Sequence, residues 1–129
     1  RHLVPLLRAG YLVLCDRYYD STLAYQGAGR ALRQADVLWL NRFATAGLKP
    51  DLTLVYDLGA QEGLKRARRL KGRSDRMEKA DLAFHRRVGS AFRRLARTQS
   101  RRVKLIRVDG QSPQAIADQG LVLMLKWLP

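Results

Sequence analysis

The sequence predicts an α/β fold in which helices cover a parallel β-sheet. Three short runs, 11–15, 52–57 and 103–108, are rich in Val, Leu, Ile or Tyr, and each ends at or just before an Asp. The first two runs are almost continuously apolar, as in strands that are buried on both faces. Segments of helical length separate the runs, which is typical of parallel strands joined by helical crossovers. We therefore expect a functional site beyond the carboxyl ends of these strands.

Five helices are expected around this sheet. The clearest is 79–98, because its apolar residues recur at helical spacing and arginines occupy the opposite side. Gly10 and Gly47 are natural stops for two earlier helices, and Ser112 is a natural N-cap for the last. The expected helices are 3–9, 35–46, 61–70, 79–98 and one that begins at Ser112-Pro113. The apolar stripe of the fourth helix is Phe84, Val88, Phe92 and Leu95, and the opposite side carries Arg86, Arg87, Arg93, Arg94 and Arg97.

Length and composition limit the class of protein. The chain has 129 residues, 47% of them hydrophobic, which suits one packed domain or part of a larger one. It carries 25 basic and 11 acidic residues, a net charge of +14, so anionic partners are expected. Charge alone does not separate a nucleotide from a nucleic acid or an acidic protein. The chain starts at Arg1 rather than Met, and we expect it to be a piece of a longer protein.

Cysteine content and hydropathy bear on the cellular setting. Cys15 is the single cysteine, which excludes an internal disulfide, and its place in an apolar run predicts a small buried side chain. No apolar run approaches the roughly 18 residues that a membrane-spanning helix needs. Without a disulfide or a recognisable targeting segment, the sequence predicts a cytoplasmic protein with no membrane partner.

The segment with the most chemistry is 16–27, which follows the first predicted strand. It opens with a carboxylate and a guanidinium, Asp16 and Arg17, and continues with hydroxyl, phenol and amide side chains. The guanidinium fork of arginine matches the geometry of a phosphate group. Asp16 could orient Arg17 or hold a water bound to Mg²⁺. On the residues alone, a purely structural Asp–Arg pair fits equally well.

This segment closely resembles the D-R-Y/H-x-x-S-x-x-A-Y-Q-G block of bacterial thymidylate kinases. Further blocks of that family follow in order and at the expected spacings, so the resemblance covers nearly the whole chain. The matching blocks are Asp16 to Gly27, Leu40-Asn41 with Gly47 to Leu54, Gly63 to Arg68, Asp75 to Glu78, and Asp109 to Pro113. The resemblance implies one partial nucleoside monophosphate kinase domain over 1–129 that corresponds to the C-terminal two-thirds of the family. Its implied fold is the P-loop kinase type, a three-layer parallel sheet with flanking helices.

The resemblance also implies an activity, the ATP-dependent phosphorylation of dTMP to dTDP, with Mg²⁺. It makes Asp16 and Arg17 the catalytic pair at the acceptor phosphate, with Asp16 near the metal through water. It assigns Ser21, Thr22, Tyr25 and Gln26, together with Arg17, to the binding of dTMP. The Tyr25 ring can fill the space that a ribose 2′-hydroxyl would need, although a helix residue packed on the core is the alternative for Tyr25.

Two further regions are implied to face ATP. The stretch 66–78 resembles the arginine-rich lid of bacterial members, with the lid segment itself at 71–81. Positive charge near the transferring phosphoryl group is what such a lid supplies. The implied catalytic arginines are Arg68, Arg69, Arg73 and Arg76, and the implied ATP-binding residues are Arg66, Asp109, Gln111 and Ser112. Each lid arginine fits a solvated surface charge equally well, and the 109–113 loop is also explained as a strand end and helix cap.

One feature of the family does not occur in this sequence. The phosphate-binding pattern Gly-x-x-x-x-Gly-Lys-Ser/Thr is absent at all ten glycines. Family members carry this loop on their first strand, which lies between the strands that match 11–15 and 52–57. Without that strand the two runs must pair directly, recruit a partner strand, or belong to a longer chain. We expect the chain alone to have little or no kinase activity.

Three functions remain open at this point. The first is a thymidylate kinase seen in part, which the resemblance implies to be a homodimer. The second is a catalytically degenerate relative that serves as a binding or interaction module. The third is a nucleic-acid-binding domain, which the charge of +14 suggests but which we do not expect.

Overall fold

The computed structural model describes residues 3–71 and 78–128. Most of its elements lie close to the predicted ranges, with four helical segments before the first strand and two helices between the strands. In chain order they are α1 (Leu3–Arg8), α2 (Tyr19–Thr22), a π-helix (Leu23–Gly29), α3 (Gln34–Ala44), β1 (Thr53–Asp57), α4 (Ala60–Lys71), α5 (Glu78–Thr98), β2 (Val103–Arg107) and α6 (Pro113–Leu125). The five predicted helices are thus confirmed to within two residues at the described ends, and α2 with the π-helix is added to them.

Two of the three predicted strands form and pair in parallel. Strand β1 lies beside β2 in a register that joins Thr53 to Val103 and Asp57 to Arg107. The helices α4 and α5 lie between them in the chain, which is the connection that parallel strands need. The prediction of a parallel α/β arrangement is therefore confirmed for these two strands, and their carboxyl ends meet at one edge.

The third predicted strand, 11–15, does not form, and that prediction is wrong for the structure described here. Tyr11, Leu12 and Leu14 are 63%, 65% and 75% exposed, and Cys15 is exposed rather than buried. An apolar run becomes a strand only when a neighbour satisfies its peptide groups and covers its side chains. The described sheet contains β1 and β2 alone, so the alternative in which 11–15 pairs directly with β1 does not occur in it.

The main helical core joins α5 to the π-helix. Ala24, Val88 and Ala91 are buried at its centre, and the rings of Phe84 and Phe92 pack around them. The predicted apolar stripe of α5 is thus the face that packs inward, while the arginines of its other side are exposed. Gly29 ends the π-helix directly against α5. A Cβ atom there would lie 2.6 Å from Phe84 Cε2, so the close approach requires glycine.

A second core covers β2. Val103, Ile106 and Val108 are buried, and both α5 and α6 contact the strand. Helix α6 starts as predicted, because the Ser112 hydroxyl accepts a hydrogen bond of 3.2 Å from the Ala115 amide. Among the helices of the described ranges, none is both long and apolar enough to cross a membrane.

Candidate functional site

Asp16 and Arg17 lie on the surface, immediately before the helical segment that starts at Tyr19. Both side chains are exposed. Arg17 has a φ of 63°, in the left-handed region that non-glycine residues rarely adopt. Such backbone conformations persist where surrounding contacts hold them, and they cluster at binding and catalytic sites. The conformation sets the direction of the Arg17 side chain.

The side chain of Arg17 lies over the ring of Tyr25, eight residues later in the chain. Its Cζ atom lies 4.9 Å from the centre of the Tyr25 ring, and its Nη2 donates a hydrogen bond of 3.4 Å to the Tyr25 hydroxyl. A guanidinium stacked on an aromatic ring keeps donors that can bind an anion. The structure therefore brings two of the predicted dTMP-binding residues into contact.

The Tyr25 ring also packs on the helical core. Its centroid lies 6.0 Å from that of Phe84 and 6.4 Å from that of Phe92, in tilted and edge-on arrangements. Such distances are typical of favourable aromatic pairs. The Tyr25 ring therefore packs on the core and contacts Arg17 at the same time, and its role toward the nucleoside stays a prediction.

The remaining predicted nucleoside-binding residues lie on the same helical segment. Ser21 and Thr22 belong to the short helix α2, and Gln26 lies with Tyr25 in the π-helix; all four side chains are half-buried. π-Helical turns are rare and frequently occur at functional sites. We name 16–29 the acceptor segment, since it holds every residue predicted to bind the acceptor.

Three consecutive residues anchor the acceptor segment to the rest of the fold. The Tyr18 hydroxyl donates to the Leu48 carbonyl at 3.4 Å, and the Asn41 side-chain amide donates to the Tyr19 carbonyl at 2.8 Å. Asp20 supplies the third anchor through an ion pair with Arg102. None of these contacts was predicted from the sequence.

The Asp20 ion pair is the most buried charged contact among the described residues. Arg102 Nη1 and Nη2 each lie 2.7 Å from an oxygen of the Asp20 carboxylate, and Thr53 Oγ1 donates to that carboxylate at 2.7 Å. The side chains of Asp20 and Arg102 are 3% and 15% exposed. The hydrogen bond to Asp20 raises the pKa of Arg102, against the opposing effect of burial. The pair was not predicted, because 82 residues separate its members in the sequence.

A second charged cluster lies at the carboxyl end of the sheet. Arg93 of α5 donates two hydrogen bonds of 2.9 Å to Asp57, the last residue of β1, and this raises the pKa of Arg93. These residues line an open cavity of about 750 Å³. The other lining residues are Ser90, Arg97, Leu105, Arg107, Gln111 and Gln119. Of the predicted ATP-binding residues, only Gln111 lines this cavity.

Comparison with known proteins identifies the family. The family model for thymidylate kinase matches residues 1–118. The chain belongs to the thymidylate kinase family. It is similar to the thymidylate kinase of Cyanothece sp., with 47% identity over 91% of this chain and 51% of the relative. It is also 43% identical to those of Nostoc punctiforme, over 100% of this chain and 62% of the relative, and Lactiplantibacillus plantarum, over 97% and 57%.

These thymidylate kinase relatives are longer than this chain. The 129 residues span about half to three-fifths of the length of the relatives that they match. The predicted correspondence to part of a thymidylate kinase is therefore confirmed. The match includes the whole acceptor segment and both described strands.

The predicted thymidylate kinase lid is described only at its borders. Arg66 is exposed and donates to Glu62 one helical turn earlier, at 3.0 Å, and Arg69 is exposed on the same helix. Arg73 and Arg76 lie outside the described residues, as do most of 71–81 and the side chain of Arg68. The roles of these arginines stay predictions.

The loop at 109–113, predicted to face ATP, is held by its own hydrogen bonds. Gln111 Nε2 donates to the Arg107 carbonyl at 2.8 Å, and Ser112 caps α6. Asp109 is exposed beside them. Ser112 therefore has a structural role, while Gln111 and Asp109 border the charged cluster at the end of β2.

Magnesium is the remaining predicted ligand. Within the described ranges no three His, Cys, Asp or Glu side chains form a group that could enclose a metal ion. Asp16 offers one exposed carboxylate, which suits contact through a metal-bound water and not a complete protein cage. The residues present fit the outer-sphere role that the sequence predicted.

Proposed function

We propose that this chain supplies the acceptor half of a thymidylate kinase, which transfers a phosphoryl group from ATP to dTMP. Family membership supports the reaction, and the contact between Arg17 and Tyr25 supports the site. The proposed complete fold is a P-loop kinase with a three-layer parallel sheet, and β1 and β2 are two of its strands.

The acceptor segment provides groups suited to a nucleoside monophosphate. Arg17 keeps its Nη1 and Nε donors for the phosphate while its Nη2 contacts Tyr25. The Tyr25 ring and the hydroxyls of Ser21 and Thr22 lie on one helical segment, with Gln26 as an amide that can bind a base edge. In this proposal Arg17 holds the dTMP phosphate, and the other four residues orient the nucleoside.

Catalysis of phosphoryl transfer depends mainly on positioning and on positive charge around the transferring group. Arg17 would fix the attacking phosphate oxygen, and Arg68, Arg69, Arg73 and Arg76 would neutralise charge on the ATP side. Mg²⁺, when bound, would supply positive charge that lowers the repulsion between ATP and the acceptor phosphate. Asp16 would hold one of its waters, while Arg66, Asp109, Gln111 and Ser112 would border the nucleotide of ATP.

The proposal also includes an oligomeric state and a cellular location. A homodimer is proposed, and the exposed stacked pair of Trp39 and Phe43 on α3, with ring centroids 5.7 Å apart, offers an apolar surface for it. The cytoplasmic location stays a prediction, as does the absence of membrane and nucleic-acid partners.

Ligand binding to the purified chain tests the acceptor site. Titration calorimetry should show saturable binding of dTMP and weaker binding of thymidine, which has no phosphate for Arg17 to hold. Arg17→Met should lower dTMP affinity by about ten- to a hundredfold and leave thymidine binding nearly unchanged, since a charged hydrogen-bonded contact is worth roughly 1.5–3 kcal/mol. Arg33→Met, an exposed arginine before α3, is the matched control.

A coupled assay with ATP and dTMP completes the test. We expect little or no turnover from the chain alone, and turnover at ordinary kinase rates would contradict that expectation. Binding of dTMP without turnover would also fit an inactive binding module. Strong, steeply salt-dependent binding of DNA with no dTMP binding would overturn the proposed function.

A further inference from the structure

The anchors of the acceptor segment lie near its start, between Arg17 and the other proposed dTMP-binding residues. Tyr18, Tyr19 and Asp20 make the three tertiary hydrogen-bonded contacts described above. Arg17 precedes these residues, and Ser21, Thr22, Tyr25 and Gln26 follow them without a break in the helical backbone. A displacement of the anchors would therefore shift Arg17, Ser21 and Thr22, which adjoin them, relative to Tyr25, whose ring is held by its packing on α5.

The Asp20 anchor differs from the other two because it is an ion pair, and both of its members, Asp20 and Arg102, are largely enclosed. Its two carboxylate oxygens are matched by the two terminal nitrogens of Arg102, which fixes orientation as well as distance. A buried ion pair adds little to stability overall, but the loss of one partner leaves an uncompensated charge. Asp20 without Arg102 would be a buried carboxylate with only the Thr53 hydroxyl to donate to it from a side chain.

Arg102 is itself held from several directions. Gln99 Oε1 accepts hydrogen bonds from Arg102 Nε and Nη2 at 2.9 and 2.7 Å. The Arg102 carbonyl accepts a hydrogen bond of 2.8 Å from the Thr53 amide, at the start of β1. The backbone of Arg102 is thus tied to the start of β1, and its guanidinium is held by Gln99 as well as by Asp20. This arrangement orients Asp20 and leaves few alternative positions for it.

We infer that Arg102 is a positioning residue for the acceptor nucleotide, acting through Asp20 on the place of Arg17 and Tyr25. Arg102 does not touch the proposed ligand. It holds α2 against the start of the sheet, so that the contact between Arg17 and Tyr25 forms in the right place. The inference rests on the proposed function, because it concerns the binding of dTMP.

The central test is dTMP affinity in variants of the anchor. Arg102→Met should weaken dTMP binding by about tenfold, and Asp20→Asn should do the same, because small displacements of positioning groups have large effects. Arg102→Lys retains the charge without the planar fork, and we expect it to lose about threefold. Arg101→Met removes the exposed neighbour of Arg102 and should bind dTMP as the wild type does.

A second control distinguishes a loss of overall stability from a loss of positioning. Ile106→Ala removes a fully buried side chain of β2 and destabilises the fold without touching the acceptor segment. All variants are compared at a temperature where circular dichroism shows them folded. Hydrogen exchange measured by mass spectrometry should rise in peptides covering 18–29 for Arg102→Met, and should rise there no more than in α6 for Ile106→Ala.

The outcomes distinguish a failure of the positioning role of Arg102 from a failure of the proposed dTMP site. If the wild type binds dTMP and Arg102→Met binds it equally well, or no worse than Ile106→Ala, the positioning role is wrong and the proposed function stands. If the wild type does not bind dTMP, the acceptor site is wrong and the positioning role falls with it. Should Arg102→Met fail to fold, Arg102→Lys decides, and wild-type affinity in that variant overturns the inference.

Discussion

The guanidinium of Arg17 lies over the ring of Tyr25, with 4.9 Å between Cζ and the ring centre. The two residues are eight positions apart, and Arg17 Nη2 also donates a hydrogen bond to the Tyr25 hydroxyl. One residue is charged and exposed, and the other packs on Phe84 and Phe92. The pair therefore links a proposed phosphate ligand to the helical core.

Substitutions at Tyr25 should distinguish the contribution of the ring from that of the hydroxyl. Tyr25→Phe keeps the cation–π contact and the aromatic pairs, so we expect a change in unfolding free energy below about 0.5 kcal/mol. Tyr25→Leu loses both and should cost about 1–3 kcal/mol. The dTMP affinity should fall clearly only in Tyr25→Leu. Urea denaturation and calorimetry measure the two effects, and equal affinities in both variants would show that the ring does not serve the ligand.

Glycine at position 29 should be required for the packing of the π-helix on α5. In Gly29→Ala the new Cβ would lie 2.6 Å from Phe84 Cε2 and 2.9 Å from Val88 Cγ2. Overpacking of this kind costs roughly 1–3 kcal/mol. Gly89→Ala is the matched control within α5, because no atom lies within 4 Å of its added Cβ. That variant should gain up to about 1 kcal/mol from helix propensity, and a loss as large as that of Gly29→Ala would contradict the packing described.

The ion pair between Arg93 and Asp57 should stabilise the fold modestly. The side chains are 46% and 18% exposed, so water screens part of their attraction. We expect Arg93→Met to lower the unfolding free energy by about 1 kcal/mol, and Arg94→Met, its exposed neighbour, to have no measurable effect. A double-mutant cycle with Asp57→Asn isolates the interaction energy. A coupling energy of zero would mean that the pair adds nothing in solution.

Cys15 should react with a thiol reagent while the chain is folded. The structure leaves this residue exposed within 11–15. A colourimetric disulfide reagent should modify it fully without denaturant, at a rate similar to that of a short cysteine peptide. Slow modification that becomes fast only in urea would indicate that another surface covers this segment in solution.

Local patterns predicted the elements that depend on local interactions. The apolar stripe of α5 and the Ser112 cap of α6 were visible because helix contacts lie within a few residues of each other. The runs at β1 and β2 were recognisable from their β-branched and apolar content. The thymidylate kinase blocks in the sequence also pointed to Arg17 and Tyr25, although the contact between these two residues was not predicted.

Features that depend on distant partners were not predictable in the same way. The run 11–15 has the composition of a strand, yet strand formation requires a neighbour that composition does not specify. Asp20 and Arg102 look like ordinary surface charges in the sequence, because nothing local indicates that 82 positions are bridged. The burial of Asp20 became apparent only once α2 and the sheet were placed together.

The pairing of β1 with β2 has a consequence for the order of folding. Each residue of β1 pairs with one about fifty positions later, so the chain must close a long loop before the first ladder hydrogen bond can form. Helices α4 and α5 are built from local contacts, which form on much shorter time scales. The sheet should therefore assemble after the helical crossover has shortened the distance between its strands, and strand pairing should limit the folding rate.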